Sequence, residues 1–273
     1  MSTMPGQPII HDIFESKTGT WQYVVADPYS KTAVIIDPVL DYDPTTRIIT
    51  TDSANNLLSL VKERGYHVDR ILETHAHADH LTAASYLQSR LAQEQDHKPP
   101  IGIGKRITQV QKLFGERYGV APVEYEAAFD HLYDDNETFD IGYIKATAIH
   151  LPGHTPDHLG YMIGSKSARM LLALPGQTKI WTGHDYPPQG RGGPVPWMTV
   201  RDHREQNKHI RDSVTRDDFV TLRKDRDSKL GEPRLLHESL QFNILAGRLP
   251  QPTKSDQHML RLPLKLNPKD LHW

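Results

Sequence analysis

Residues 74–80 read Thr-His-Ala-His-Ala-Asp-His, directly after the apolar pair Ile71-Leu72 and directly before a helical pattern that begins at Leu81. Three imidazoles and a carboxylate gathered this closely are costly unless something binds them, and a metal ion is the usual reason. His75 and His77 alternate off an extended segment, while Asp79 and His80 sit at a turn entering a helix. That spacing directs the first pair to one ion and the second pair to a second ion or to a supporting role. The 273 residues contain no cysteine, which excludes disulfides, thiolate ligands and a nucleophilic thiol. Imidazole and carboxylate must therefore hold any metal, a donor set that suits zinc, iron or manganese.

The flanking sequence alternates strand and helix patterns. Trp21, Tyr23 and Val25 alternate and Ala33 to Ile36 is an apolar run, predicting two strands around a turn at Asp27-Pro28. Ser53 is placed to cap a helix that carries Leu57, Leu58 and Val61 and stops at Gly65. The strand Val68–Leu72 delivers the histidine motif at its C-terminal end. Leu81, Ala84, Leu87 and Leu91 fall on one helical face behind it. A strand at Pro99–Ile103 and a helix over 106–118 follow. Ile144, Ala146 and Ala148 alternate into His150-Leu-Pro-Gly-His154-Thr-Pro-Asp-His158, after which Leu159, Tyr161 and Ile163 read as a strand. A further strand, Lys179–Thr182, ends in Gly183-His184-Asp185-Tyr186, and Pro187 to Pro196 is a Pro- and Gly-rich loop. Polar helices are predicted over Val200–Ile210, Asp217–Lys229 and Leu235–Ala246, before an extended Pro-rich tail. This pattern predicts an α/β domain over 1–190 and a mostly helical extension over 191–273 packed on it.

Three strands thus end in histidines: His75 and His77, then His154, then His184. Strand ends on one side of a sheet converge, so groups far apart in sequence meet at one site. His154 is expected to be a ligand, and His184 a ligand or a donor supporting one. Gly153 and Gly183 suit sharp backbone turns there. His150 and His158 read as structural or surface histidines and Asp157 as a turn residue. Tyr186 reads either as a hydrogen-bonding contact to a bound molecule or as a packed aromatic.

The net charge of −2 gives no field favouring nucleic acid or an anionic membrane, and the basic residues of 201–230 alternate with acids as on a solvated helix face. No apolar run approaches a membrane span, and the N-terminal residues lack a basic segment and an apolar stretch of the secretory kind. The expectation is a cytoplasmic enzyme with a small-molecule substrate and no nucleic-acid or membrane partner. A mitochondrial location and a homodimer are both compatible with the sequence.

The succession H-x-H-x-D-H, L-P-G-H-T-P and G-H-D-Y resembles the metallo-β-lactamase superfamily, and within it the branch of glutathione-persulfide dioxygenases and glyoxalase-II-like enzymes. The likeness runs over nearly the whole chain, from Asp37-Pro38-Val39 to His203, Asn207, Arg223 and Gln241-Phe-Asn243. It implies an αββα sandwich with the metal site at one edge of two packed sheets. For a persulfide dioxygenase it implies one Fe²⁺ on His75, His154 and an aspartate beyond them. For a hydrolase it implies one or two Zn²⁺ on His75, His77, Asp79, His80, His154 and His184, with the same aspartate as bridge. Asp79 then orients the nucleophile or holds the second ion, and hydroxide generated at the metal opens a lactam, amide, carbamate-like ring or thioester. This chain departs from the pattern at one place. Gly164 passes directly into Ser165-Lys-Ser-Ala-Arg169-Met-Leu-Leu-Ala-Leu-Pro175, which resembles the family's later helix. By that resemblance a segment holding the aspartate and a substrate-binding arginine is missing. No Asp or Glu lies between Asp157 and Asp185, the nearest stand-in. The loss harms a two-histidine, one-carboxylate iron site more than a zinc site, and a non-catalytic remnant of the fold is the remaining expectation.

Overall fold

The structure is a computed structural model and describes residues 6–164, 171–187 and 190–263. The chain opens with strands β1 (Ile9–Glu15), β2 (Thr20–Ala26) and β3 (Thr32–Ile36), then β4 (Val39–Asp43) and β5 (Ile48–Thr50). Helix α1 (Asp52–Arg64), β6 (His67–Leu72), β7 (Leu81–Thr82), α2 (Ala84–Glu94), β8 (Ile101–Gly104), α3 (Ile107–Tyr118) and α4 (Pro122–Tyr125) follow. Next come β9 (His131–Tyr133), β10 (Thr138–Ile141), β11 (Ile144–His150), β12 (Leu159–Ile163), a 3₁₀ turn at Leu171–Ala173, β13 (Lys179–Trp181) and β14 (Trp197–Thr199). Helices α5 (Val200–Gln206), α6 (Arg216–Asp227) and α7 (Leu236–Asn243) complete the described elements.

A six-stranded sheet in the order β1-β2-β3-β6-β8-β9 forms the centre; β3, β6, β8 and β9 run parallel and β1–β3 antiparallel. One of its faces carries α1, α2 and α3, whose Leu57, Leu87 and Ile107 are buried against Val24, Ile35 and Ile71. The other face packs Tyr23, Val25, Val34 and Leu72 against Phe139, Ile141, Ala146 and Leu159 of the second sheet, β10-β11-β12. The alternation read along β2 and β11 arises from this packing between two layers. Helix α1 stops at Gly65, whose φ of 63° supplies the left-handed cap that the sequence indicates.

Three features depart from the sequence pattern. The helix expected from Leu81 starts at Ala84, because Leu81 and Thr82 pair with Leu40 and Val39. The β4–β5 hairpin lies where no strand is predicted. Between the expected loop over 187–196 and the helix expected from Val200, Trp197–Thr199 pairs with Lys179–Trp181 as a separate two-stranded sheet. Strand β12 is therefore the last strand of its sheet among the described residues, and β13 does not continue it. Residues Ser165–Met170, at the expected junction, lie outside the described residues.

Candidate metal centre

The motif leaves β6 at Glu73, and each end is tied to a different part of the fold. Asp37, at the end of β3, has a φ of 50°, a strained conformation for a residue with a side chain. Its buried carboxylate accepts hydrogen bonds from the Thr74 N–H (2.7 Å) and hydroxyl (2.9 Å). Asn243, at the end of α7, donates its side-chain amide to the carbonyls of His77 (2.7 Å) and His80 (2.8 Å) and accepts from the Thr82 N–H (2.9 Å). Asp157 is buried, not a plain turn residue: its carboxylate accepts from the Ala76 N–H at 2.8 Å and clamps the His154 loop onto the motif. Gly153 turns that loop at φ 126°, whereas Gly183 needs no positive φ.

Within this frame, His77, Asp79, His80 and His184 place one donor atom each within 4.8 Å of one another. Asp79 Oδ2 lies 3.3 Å from His184 Nε2 and 3.4 Å from His80 Nδ1. Thr20 places its hydroxyl 3.4 Å from His80 Nδ1 and 3.3 Å from His184 Nδ1. Behind His77, Nε2 is 3.1 Å from Asp37 and 3.8 Å from Glu73, off hydrogen-bond geometry.

These contacts set the charges. Burial disfavours a charged His77, but Asp37, with Asp79 and Glu73, outweighs it and pushes the imidazole up to about 9. Burial also opposes an ionised Asp79, yet the His80 hydrogen bond and the neighbouring imidazoles hold it far below the usual carboxylate range. Burial and the nearby Asp37 carboxylate push Glu73 up to about 8. Burial lowers His184 to about 4, and burial also lowers His75, His80 and His154.

The residues present fit a divalent ion. Both ring nitrogens of His77 and Nε2 of His80 are buried without a hydrogen-bond partner among the described residues. Buried polar atoms are seldom left so, and three imidazoles with one anionic carboxylate form a complete four-donor set. Asp37, 3.1 Å behind His77 Nε2, sets a carboxylate charge against the ring whose Nδ1 faces Asp79.

The other expected site residues are placed as follows. His75 and His154 lie beside this set, with ring centroids 4.7 Å apart, but are not part of it. Tyr186 stacks on His184 at an interplanar angle of 9° and donates its hydroxyl to the Thr18 carbonyl. Asp185 is held by Arg191 and by the Val195 N–H, so it does not stand in for the absent aspartate. His150 stands at the end of β11, with Nε2 buried and without a hydrogen-bond partner among the described residues. Its replacement by alanine is expected to leave metal content unchanged and stability within about 0.5 kcal/mol, by elemental analysis and urea titration.

Sequence reasoning missed Thr20 and Glu73, and gave Asn243 no role. Asn243→Ala leaves the Thr82 N–H and two buried carbonyls without their partner. A loss of about 3 kcal/mol in urea unfolding is expected, together with weaker metal binding.

A cleft of about 450 Å³ opens onto His75, His154, His158 and His184. Residues of β12 and β13 flank it, including Leu159, Tyr161, Ile163, Ile180 and Trp181, and no Lys or Arg lines it among the described residues.

A family model described as Metallo-beta-lactamase superfamily matches residues 17–173. A beta-lactamase hydrolase-like protein of Xylella fastidiosa is 35% identical over 94% of this chain, which spans only 65% of that relative. A probable metallo-hydrolase of Burkholderia pseudomallei is 35% identical over 93% of this chain and 98% of its own length. That second alignment has 296 positions, whereas 93% of 273 residues is about 254, so about 40 positions face gaps in this chain. Among solved structures, ETHE1 from Myxococcus xanthus superposes with a TM-score of 0.65 at 20% identity, covering 88% of this chain and all of its own.

Proposed function

The chain belongs to the metallo-β-lactamase superfamily, and on that premise we propose that it is a metallohydrolase opening a lactam, amide, carbamate-like or thioester bond in a small molecule with an apolar body. The observation that carries this reading is the convergence of His77, Asp79, His80 and His184, achieved without any carboxylate from the region after Gly164. These four residues would hold the ion, and an ion there supplies Lewis acidity and a water acidified toward neutral pH.

The chain's own groups do the rest. Asp79, ionised throughout the physiological range, accepts a hydrogen bond from an attacking water and fixes its direction. Thr20 and Asp37 hold the imidazole rings in place, so the donor set is pre-formed. The cleft takes the substrate: its volume suits a small ligand, and its apolar walls exclude water. The absent aspartate favours hydrolysis over persulfide oxidation. The shortened stretch near Gly164 accounts for that difference.

A panel of lactams and acyl thioesters tests the reading, assayed with zinc-loaded and with iron-loaded protein. Turnover with zinc alone is expected. No hydrolysis, together with oxygen uptake on glutathione persulfide by the iron form, would replace the reading with the dioxygenase.

A further inference from the structure

Thr20 meets two residues of the four-donor centre with one hydroxyl. Its Oγ1 lies 3.4 Å from Nδ1 of His80 and 3.3 Å from Nδ1 of His184. A neutral imidazole carries its proton on one nitrogen and a lone pair on the other, and a hydroxyl has a single proton to give. The tautomer of each ring therefore depends on where the Thr20 proton points.

The turn between β1 and β2 decides that direction. Glu15 is buried at the end of β1, and its carboxylate accepts from the Lys17 N–H (2.7 Å), the Thr18 N–H (2.8 Å) and the Thr18 hydroxyl (2.5 Å). With its proton given to Glu15, Thr18 Oγ1 is left to accept, and Thr20 Oγ1 stands 2.7 Å from it. The Thr20 proton goes to Thr18, so Thr20 turns only lone pairs toward the two rings. Both rings must then donate from Nδ1. At His80 a second acceptor agrees, because Asp79 Oδ2 is 3.4 Å from the same nitrogen. A proton on Nδ1 leaves Nε2 as the lone pair of each ring. Nε2 of His80 is buried without a hydrogen-bond partner among the described residues. Nε2 of His184 faces Asp79 Oδ2 at 3.3 Å, a lone pair set against a carboxylate, which a cation relieves.

The backbone keeps the turn in register with His184: the Trp21 N–H donates to the Gly183 carbonyl (2.8 Å) and the Asp185 N–H to the Gly19 carbonyl (3.2 Å). Glu15 and Thr18 line a separate pocket with Lys17, Asp41 and Arg234, not the substrate cleft. We propose that Glu15 is a positioning residue: through Thr18 and Thr20 it sets the proton direction of one hydrogen-bond chain and holds His80 and His184 as Nδ1–H tautomers, with both Nε2 lone pairs free for an ion. The proposal rests on the reading of these two histidines as ligands.

Two-bond proton–nitrogen NMR of the full-length, metal-free chain tests it, with histidine nitrogen-15 labelling and signals assigned from His80→Gln and His184→Gln. Spectra are taken at about pH 8, above the ordinary histidine range, and zinc affinity is measured by competition titration. The wild type should show Nδ1–H on both rings. Thr18→Val removes the acceptor of the Thr20 proton, which then turns to a histidine. One ring should switch to the Nε2–H form, and zinc affinity should fall about tenfold. Thr18→Ser should restore both. Glu15→Gln, whose amide can donate to Thr18 and reverse the chain, should give the same switch and stands in should the valine variant fail to fold. A side chain that merely stabilises the turn would leave the tautomers unchanged. Nε2–H on either ring of the wild type, or wild-type tautomers retained in either Thr18→Val or Glu15→Gln, would overturn the proposal. The expected tautomers in a chain that binds no zinc would support the hydrogen-bond chain and overturn the four-donor centre instead.

Discussion

His77→Ala is expected to abolish tight metal binding at the four-donor centre and, with it, all turnover. A structural zinc set is worth about 10–16 kcal/mol, so one ligand of four accounts for about 3 kcal/mol, or roughly a hundredfold in affinity. A second effect follows from the other side of the ring. His77 is the buried counter-charge of Asp37, 3.1 Å away, in a group fully enclosed by the fold. Removing one member of a buried pair strands the other, at about 3–5 kcal/mol. The variant should therefore bind metal weakly and also melt early. His184→Ala separates the two effects, since His184 and its carboxylate partner Asp79 are both only partly buried. It should lose affinity to a similar degree with a much smaller loss of stability. Calorimetric metal titration and urea unfolding of both variants check this; equal destabilisation in the two would contradict the assigned pairing.

The second large effect is on pH. His77 rises from an ordinary 6.5 to about 9 in the fold, and Glu73 from 4.5 to about 8. Both groups prefer to keep their proton in the folded state. Their contribution to the stability of the metal-free protein is complete below the unfolded values and disappears as pH climbs through the folded ones. For His77 the window is about 6.5 to 9, and the loss across it is about 3 kcal/mol. Metal binding runs the opposite way, because an ion on His77 must displace that proton. Zinc affinity should rise about tenfold per pH unit between pH 7 and 9, then level off. Repeating the titration at pH 7 in buffers of different ionisation enthalpy should reveal about one proton released per ion. Affinity independent of pH over this range would mean that His77 is not a ligand.

The parts of this fold governed by local pattern were legible in the sequence. Alternation at Trp21–Val25 and Ile144–Ala148 marked strands packed between two layers, and Gly65 marked the end of α1. The histidine-ended strands pointed to one edge of the fold, where His77, Asp79, His80 and His184 meet. What local pattern did not disclose depends on partners distant in the chain. Leu81 and Thr82 fit a helical face as well as they fit a strand, and only Val39 and Leu40 decide between them. Asp157 resembles any turn aspartate until Ala76 is placed beneath it. Asn243 is an ordinary helix-end residue until its amide reaches two carbonyls of the motif. The one available signal for it was the Gln241-Phe-Asn243 resemblance, which carries no role by itself. His158 was read as structural or surface, and its contact with the His75 ring arises only because its loop folds back over the motif.

Elemental analysis of the full-length chain, reconstituted with zinc and with iron under anaerobic conditions and then desalted, tests the central claim most directly. The four-donor centre predicts at least about one tightly held equivalent of divalent metal per chain in the wild type, reduced in His77→Ala and in His184→Ala. Less than about a tenth of an equivalent in the folded wild-type protein would contradict it, leaving a fold that keeps its histidines without a metal to bind.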